Sequence, residues 1–151
     1  MSMKRFSIIG FLVFSSLSFG QDSFTNLDWM TNIEKARKVS KKTKKPILVY
    51  FTGSDWCAPC IKLKEDFFNS KKFMDVSDSM VLVMIDKPRR LDIISEKQME
   101  YNNGVIKKYN PNKTFPKMIF LNQRGKVMDE LAGYSYYGDT SNHFDFINRN
   151  I

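Results

Sequence analysis

The chain has 151 residues, of which 42% are hydrophobic and 13 are phenylalanine, so it can bury the core of a single domain. Its two cysteines and one histidine are fewer than the four ligands of a structural zinc site. The formal net charge of +8 allows an anionic partner, so the position of the charges has to be considered.

The first twenty residues have the pattern of a secretory signal peptide. Lys4 and Arg5 precede an apolar run from Ile8 to Phe19, and small residues end at Gly20. The run is shorter than the roughly 20 apolar residues of a spanning helix, although an uncleaved anchor is the alternative. We predict a signal peptide at 1–20, a mature domain at 21–151, and export to the bacterial periplasm.

Residues 29–43 are predicted to form an amphipathic helix with a strongly basic outer face. A basic run can bind nucleic acid or anionic lipid, but we interpret this face as solvated. We expect no nucleic-acid partner, because an exported protein seldom meets nucleic acid. The apolar positions of the helix are Ile33, Ala36 and Val39, and the basic run is Lys35, Arg37, Lys38, Lys41, Lys42, Lys44 and Lys45.

Alternating strands and helices follow. We predict a buried strand at 46–53, a helix in 61–76, a strand at 80–86, a helix at 95–109, two strands in 115–134 joined by a turn at 122–125, and a last helix at 140–150. Buried strands alternating with helices imply a partly parallel sheet, and the closing hairpin makes it mixed. The predicted fold class is a three-layer α/β/α domain.

The segment "GSDWCAPC" (53–60) contains both cysteines. Between a strand and a helix, Cys57 is predicted to lie at the helix N-terminus, where the helix dipole lowers a thiol pKa. Pro59 suits the first helical turn. Cys57 is therefore predicted to be an exposed nucleophile, and Cys60 the sheltered thiol that resolves its mixed disulfide.

Other roles for the cysteines fit less well. A structural disulfide gains most by closing a long loop, and here only two residues intervene. Covalent haem needs C-x-x-C-H, but residue 61 is isoleucine. His143 is predicted to be a surface or capping residue of the last helix, and we expect neither a metal nor a cofactor.

Two stretches, "PILVYFTGSDWCAPC" and "FPKMIFL", together resemble the thioredoxin superfamily, most of all its exported bacterial members. The resemblance implies a thioredoxin-like fold over most of residues 29–151 and a cis Phe115–Pro116 bond against the active-site disulfide. It also implies a substrate groove formed by Trp56, Pro59, Phe115, Pro116 and Gly133. Phe115 could equally be a core residue, and Trp56 could simply pack.

The sequence departs from thioredoxins at the site of their buried proton acceptor. Tyr50 stands near the position of the usual aspartate, and Leu82 near that of its lysine companion. Loss of both is consistent, since one buried charge left unpaired is costly. Asp55 is expected to be exposed and is not assigned the proton-transfer role.

The resemblance implies a redox-active protein disulfide oxidoreductase. Ala58-Pro59 resembles the dipeptide of reducing members, so we favour a reductase of disulfide-bearing proteins. It would be a monomer recharged by a separate thiol donor, such as a membrane thiol transporter. The alternatives are a disulfide oxidase or isomerase, or a non-catalytic binding module with a structural disulfide.

Overall fold

A computed structural model of the protein describes residues 27–135 and 137–151. The predicted signal peptide and its cleavage site near Gly20 lie outside these residues. Within them, no helix is both long and apolar enough to cross a membrane. The helices are α1 (Ile33–Thr43), α2 (Ala58–Leu63), α3 (Lys71–Ser77), α4 (Glu96–Tyr109) and α5 (Ser141–Asn148); the strands are β1 (Ile47–Thr52), β2 (Val81–Asp86), β3 (Lys117–Leu121) and β4 (Val127–Ala132).

The four strands form one mixed sheet in the order β2-β1-β3-β4. β1 pairs in parallel with β2, in a register that places Ile47 opposite Val81. It pairs antiparallel with β3, and β3 pairs antiparallel with β4. All six residues of β1 are buried, as expected for a central strand with helices on both faces. The predicted mixed sheet is confirmed.

Alternate side chains of β1 enter two separate cores. Leu48 and Tyr50 face a core built with α2, α3 and α5, which is rich in phenylalanine. Ile47, Val49 and Phe51 face a second core built with α1 and α4. The sheet is therefore covered on both faces, and the three-layer α/β/α class is confirmed.

Two predicted helices have different bounds in the structure. The helix predicted in 61–76 is divided, because a π-helical turn at Lys64–Phe68 follows α2 and Ser70 then caps the start of α3. The helix predicted from residue 29 begins at Ile33. The preceding Met30 instead pairs with Val83 at the edge of the sheet, and Asn32 caps the helix.

The register of the sheet defines its two ends. Phe51, next to the end of β1, pairs with Lys117 at the start of β3, so the cysteine motif and Pro116 lie at one end. Ile47 pairs with Leu121, so the segment before β1 and the turn between β3 and β4 lie at the other.

Candidate active site

Cys57 and Cys60 form a disulfide at the start of α2, with their Cα atoms 5.2 Å apart. Cys57 is the N-cap residue of this helix, and its carbonyl accepts from the N–H groups of Cys60 and Ile61 at 2.9 and 3.1 Å. Pro59 lies in the first turn, where its missing N–H leaves no helical bond unmade.

Both cysteines are buried, so the prediction of an exposed Cys57 is wrong for the disulfide form. Cys57 is 4% exposed and Cys60 is 1% exposed. The cause is the tight turn before the helix, in which the Cys57 N–H donates to the Gly53 carbonyl at 2.9 Å and draws Cys57 back toward the end of β1.

Pro116 and Gly133 meet at the same end of the sheet. The Phe115–Pro116 peptide bond is cis, and Pro116 is buried. The Pro116 carbonyl accepts from the Gly133 N–H at 2.8 Å. Gly133 has φ of 83°, a conformation that favours glycine, and a Cβ there would have no neighbour within 4 Å. Its requirement for glycine is therefore conformational rather than steric.

Trp56 packs between the motif and two loops. Its Nε1–H donates to the Lys87 carbonyl at 2.7 Å, and its ring meets Phe115 edge-on with centroids 5.6 Å apart. The Arg89 guanidinium lies 4.8 Å from the ring centroid. The ring also covers Gly53 so closely that a Cβ on that residue would overlap it.

Phe115 lies both beside the cysteine motif and against the core, the two positions that the sequence left open. One side contacts Trp56 beside the cysteine motif, and another packs against the α1/α4 core. Side-chain bulk at residue 115 therefore affects both the surroundings of the disulfide and the packing of the domain.

Tyr50 lies beneath Cys60. Its hydroxyl donates to the Cys60 carbonyl at 3.1 Å, and its side chain is 1% exposed. Burial raises the pKa of Tyr50 to about 12, although a hydrogen bond with Thr52 lowers it. Tyr50 therefore stays protonated at neutral pH and cannot accept the proton of a Cys60 thiol. Leu82 packs in the same core.

A cavity of about 300 Å³ borders Cys60 on the side facing β2. Most of its wall is apolar, but the hydroxyl-bearing Tyr50, Thr52 and Ser54 and the charged Lys64 and Glu65 also line it. Cys60 is therefore adjacent to space that leads to solvent even though the residue itself is buried.

Asp86 is a site residue that the sequence did not reveal. It ends β2, and its carboxylate accepts from both the N–H and the Oγ–H of Ser54, at 2.9 and 2.6 Å. It thereby holds the chain that enters the cysteine motif. The sequence signal that could have pointed to Asp86 is an acidic residue at the end of an apolar strand.

Asp55 was predicted to be exposed, but it is partly buried. Its carboxylate accepts hydrogen bonds from the main-chain N–H groups of Arg89 and Arg90.

His143 is buried rather than on the surface, which corrects the prediction made for it. It is 5% exposed and packs against Phe67 and Tyr134, at ring centroid distances of 5.5 and 5.2 Å. Its Nδ1 has no hydrogen-bond partner among the described residues, and burial lowers the pKa of the imidazole. The reason is that α5 directs this position inward, toward the phenylalanine-rich core.

Tyr134 connects the loop after β4 to the helix that carries the cysteines. Its hydroxyl donates to the Asp66 carboxylate at 2.6 Å, and Lys62 of α2 pairs with the same carboxylate. The Lys62 ammonium and the Tyr134 hydroxyl hold the pKa of Asp66 below its usual range. Because Gly133 precedes Tyr134, this network fixes one side of the predicted groove.

Comparison with known proteins gives the class of protein to which this fold and site belong. A family model described as Thioredoxin-like matches residues 28–122. The chain therefore belongs to the thioredoxin-like family, which confirms the resemblance noted in the sequence.

Two curated relatives come from Chlamydia pneumoniae. The chain is 33% identical over 108 residues to the disulfide bond reductase DsbH, an alignment that covers 71% of this chain and 63% of that protein. It is 25% identical over 139 residues to the thioredoxin-related protein DsbJ, covering 88% of this chain and 39% of that protein. The chain thus spans less than two thirds of either relative.

Solved structures agree on the fold. A structure of DsbH oxidoreductase superposes with a TM-score of 0.67 at 29% identity, covering 82% of this chain and 85% of that one. A thioredoxin from Thermus thermophilus superposes with a TM-score of 0.60 at 13% identity, over 82% and 85% of the two chains, and at that identity supports the fold alone.

Proposed function

We propose that this protein is a thiol–disulfide oxidoreductase that reduces disulfides in protein substrates outside the cytoplasm. The observation that carries the proposal is the Cys57–Cys60 disulfide at the start of α2, at the same end of the sheet as the cis Pro116. Similarity to a protein named as a disulfide bond reductase supports the direction.

The reaction is two successive thiol–disulfide exchanges. The Cys57 thiolate attacks a substrate disulfide, forming a mixed disulfide and releasing one substrate thiolate, which takes up a proton. Cys60 then loses its proton, attacks the Cys57 sulfur and releases the second substrate thiol. The substrate gains two electrons and two protons, and the protein is left with its Cys57–Cys60 disulfide.

Loss of the Cys60 proton must proceed without the buried acid of thioredoxins. Tyr50 occupies that region and is itself a hydrogen-bond donor with a raised pKa. The cavity beside Cys60, with the polar groups of Thr52, Ser54 and Glu65 in its wall, would offer the proton a path to solvent instead. Tyr50 contributes by fixing the Cys60 main chain, which holds the resolving thiol in place.

The substrate groove of this proposal comprises Trp56, Pro59, Phe115, Pro116 and Gly133. An extended substrate segment would pair with main chain beside Pro116. The Pro116 carbonyl is already bonded to Gly133, and Thr114 bonds to Asn110 through both its N–H and its carbonyl. The Phe115 peptide groups have no partner among the described residues, so they are the ones that would bind substrate.

Three further parts of the proposal concern export, the electron donor and the oligomeric state. Residues 1–20 would direct export to the periplasm and be removed near Gly20. Each turnover consumes two electrons, so a separate thiol donor, such as a membrane thiol transporter, would recharge a monomeric protein. N-terminal sequencing of the protein recovered from periplasmic extract tests export and cleavage. We expect the mature protein to start at Gln21.

The reduction potential is the decisive measurement for direction. The protein is equilibrated with glutathione buffers, and the fraction of Cys57–Cys60 disulfide is measured by thiol alkylation. A potential of about −270 to −200 mV, the range of thioredoxin and glutaredoxins, is expected for a reductase. A potential near about −120 mV would identify a disulfide oxidase and contradict the proposal.

Two serine variants separate catalysis from a structural disulfide. Cys57→Ser should abolish insulin reduction, and Cys60→Ser should accumulate the mixed disulfide with substrate, seen on a non-reducing gel. Both remove the same disulfide, so they should lose equal stability. A large loss of stability in a protein whose wild type reduces nothing would instead indicate a non-catalytic binding module.

A further inference from the structure

The end of the sheet opposite the disulfide carries a dense group of cations. β1 runs from this end toward the cysteine motif, so six strand residues, about 20 Å, separate the two. The turn between β3 and β4 lies at the same end, since Leu121 pairs with Ile47. We call these cations the basic end: Lys41, Lys42, Lys44, Lys45, Arg124 and Lys126.

Folding brings the members of the basic end together from distant parts of the sequence. Lys44 caps α1 in a left-handed conformation with φ of 64°, and the Ser40 hydroxyl donates to the Lys45 carbonyl, which fixes this corner. Lys44, Lys45 and Arg124 then line one cavity of about 260 Å³. The charge is therefore concentrated on one surface rather than spread along a helix.

The basic end is not neutralised within the domain. Across residues 27–135 and 137–151, none of its side chains lies within 4.0 Å of a carboxylate oxygen. Asp28 and Asp78 border a neighbouring cavity with Lys45. Asp129 accepts from Asn150, which lines the cavity of Lys44 and Arg124, but Asp129 is already paired with Arg149. Unpaired like charges held close together favour binding of an anionic partner.

Exposed apolar side chains lie among these cations. Met128 is 49% exposed and lines the same cavity as Lys44 and Arg124. Val39, 39% exposed, borders the cavity that contains Lys45, and Val127 next to Lys126 is 37% exposed. A surface that mixes cations with exposed apolar groups suits the headgroup region of an anionic bilayer better than it suits nucleic acid.

The chain also enters the domain at this end. Met30 runs parallel to β2, donating to the Leu82 carbonyl and accepting from the Met84 N–H. Leu27 is therefore directed toward the start of β2, and it borders the cavity that contains Lys45. The chain that precedes residue 27 therefore joins the domain beside the basic end.

From these observations we infer that the basic end is a membrane-contact surface that binds anionic lipid headgroups and leaves the disulfide on the side away from the bilayer. This inference goes beyond the proposed reduction of disulfides and does not depend on it, because the basic end contains none of the groove or cysteine residues.

Co-sedimentation with vesicles tests this inference on the full chain. The vesicles are either phosphatidylcholine alone or phosphatidylcholine mixed with phosphatidylglycerol. The test variant combines Lys44→Gln, Lys45→Gln and Arg124→Gln. Each cation near an anionic surface contributes about a fivefold gain in partitioning, so the variant should bind the mixed vesicles on the order of 100-fold more weakly. Its insulin reduction should match that of wild type.

The matched control removes the same charge from the disulfide end, by combining Lys87→Gln, Arg89→Gln and Arg90→Gln. It should keep wild-type binding to the mixed vesicles. All three proteins carry the same residues 1–26, so binding through the apolar run cancels in the comparison. Phosphatidylcholine vesicles, which have no net charge, measure that binding directly.

Three results would overturn the inference. Equal binding of wild type to both kinds of vesicle would exclude recognition of anionic lipid. Equal weakening of the test and control variants would show that net charge, rather than the basic end, governs binding. Retention of wild type on immobilised DNA without binding to mixed vesicles would assign the surface to a different anion.

Discussion

Gly53→Ala is predicted to weaken the domain by displacing Trp56. A Cβ at residue 53 would lie 2.5 Å from the indole Nε1 and 2.6 Å from Cζ2, closer than real Cβ contacts. The backbone of β1 and its turn cannot move easily, because every residue of β1 is buried. The ring must therefore shift away from residue 53.

The displacement breaks two interactions. The hydrogen bond from Trp56 Nε1 to the Lys87 carbonyl contributes about 1 kcal/mol, and the edge-on contact with Phe115 contributes roughly another 1 kcal/mol. The free energy of unfolding should therefore fall by about 2 kcal/mol. Insulin reduction should fall as well, because Trp56 borders the proposed groove.

Urea denaturation of the oxidised protein measures this loss, and the Trp56 indole N–H resonance reports the displacement while that of Trp29 stays in place. Gly104→Ala is the matched control, since a Cβ there meets nothing within 4 Å and the residue lies inside α4. It should stabilise the protein by roughly 0.5–1 kcal/mol. Unchanged stability and an unmoved Trp56 resonance in Gly53→Ala would refute the steric argument.

Three further predictions concern residues around the site. Tyr50→Phe removes the hydrogen bond to the Cys60 carbonyl and should lower the free energy of unfolding by about 1 kcal/mol in urea; an unchanged urea midpoint would show that the bond contributes nothing. His143 is the only histidine, and its buried form has a lowered pKa. Its neutral state thus stabilises the protein fully above the unfolded pKa of about 6.5, and this contribution should be lost as pH falls below that value. Urea titrations at a series of pH values should show this slope in wild type and lack it in His143→Leu; an identical slope would contradict the assignment. Tyr134→Phe frees the loop after β4 from Asp66, so hydrogen exchange should quicken at residues 133–135 and 137–139 and stay unchanged in β1; equal exchange in both proteins would show that the loop is held by other contacts.

The order of strands and helices could be predicted because each element has a local signal. The segments that became β1 and β2 are short apolar runs, and α1 and α4 have the apolar spacing of helices. The break between α2 and α3 was missed because the apolar residues continue through it, while the π-helical turn and the Ser70 cap depend on how Phe67 and Phe68 pack.

Whether a polar side chain is exposed or buried, and what it contacts, was predicted less well. His143 lies on a helix whose sequence leaves open which side faces the core, and only packing against Phe67 and Tyr134 decides it. Asp86 and Ser54 are far apart in sequence, so their contact follows from the parallel pairing of β1 with β2.

The sequence by itself determined the type of site, because "WCAPC" after an apolar strand is a local pattern that places two thiols at a helix start. With "FP" before a later strand it resembles the thioredoxin superfamily, and that resemblance implies a proline beside the thiols. Tertiary structure alone decided which groups surround those thiols. Tyr50 beneath Cys60, the carboxylate of Asp86 on Ser54, and the burial of Cys57 all arise from strand register and turn geometry. The same register gathers the basic end, since charges on α1 and on the β3–β4 turn become neighbours only when Ile47 pairs with Leu121.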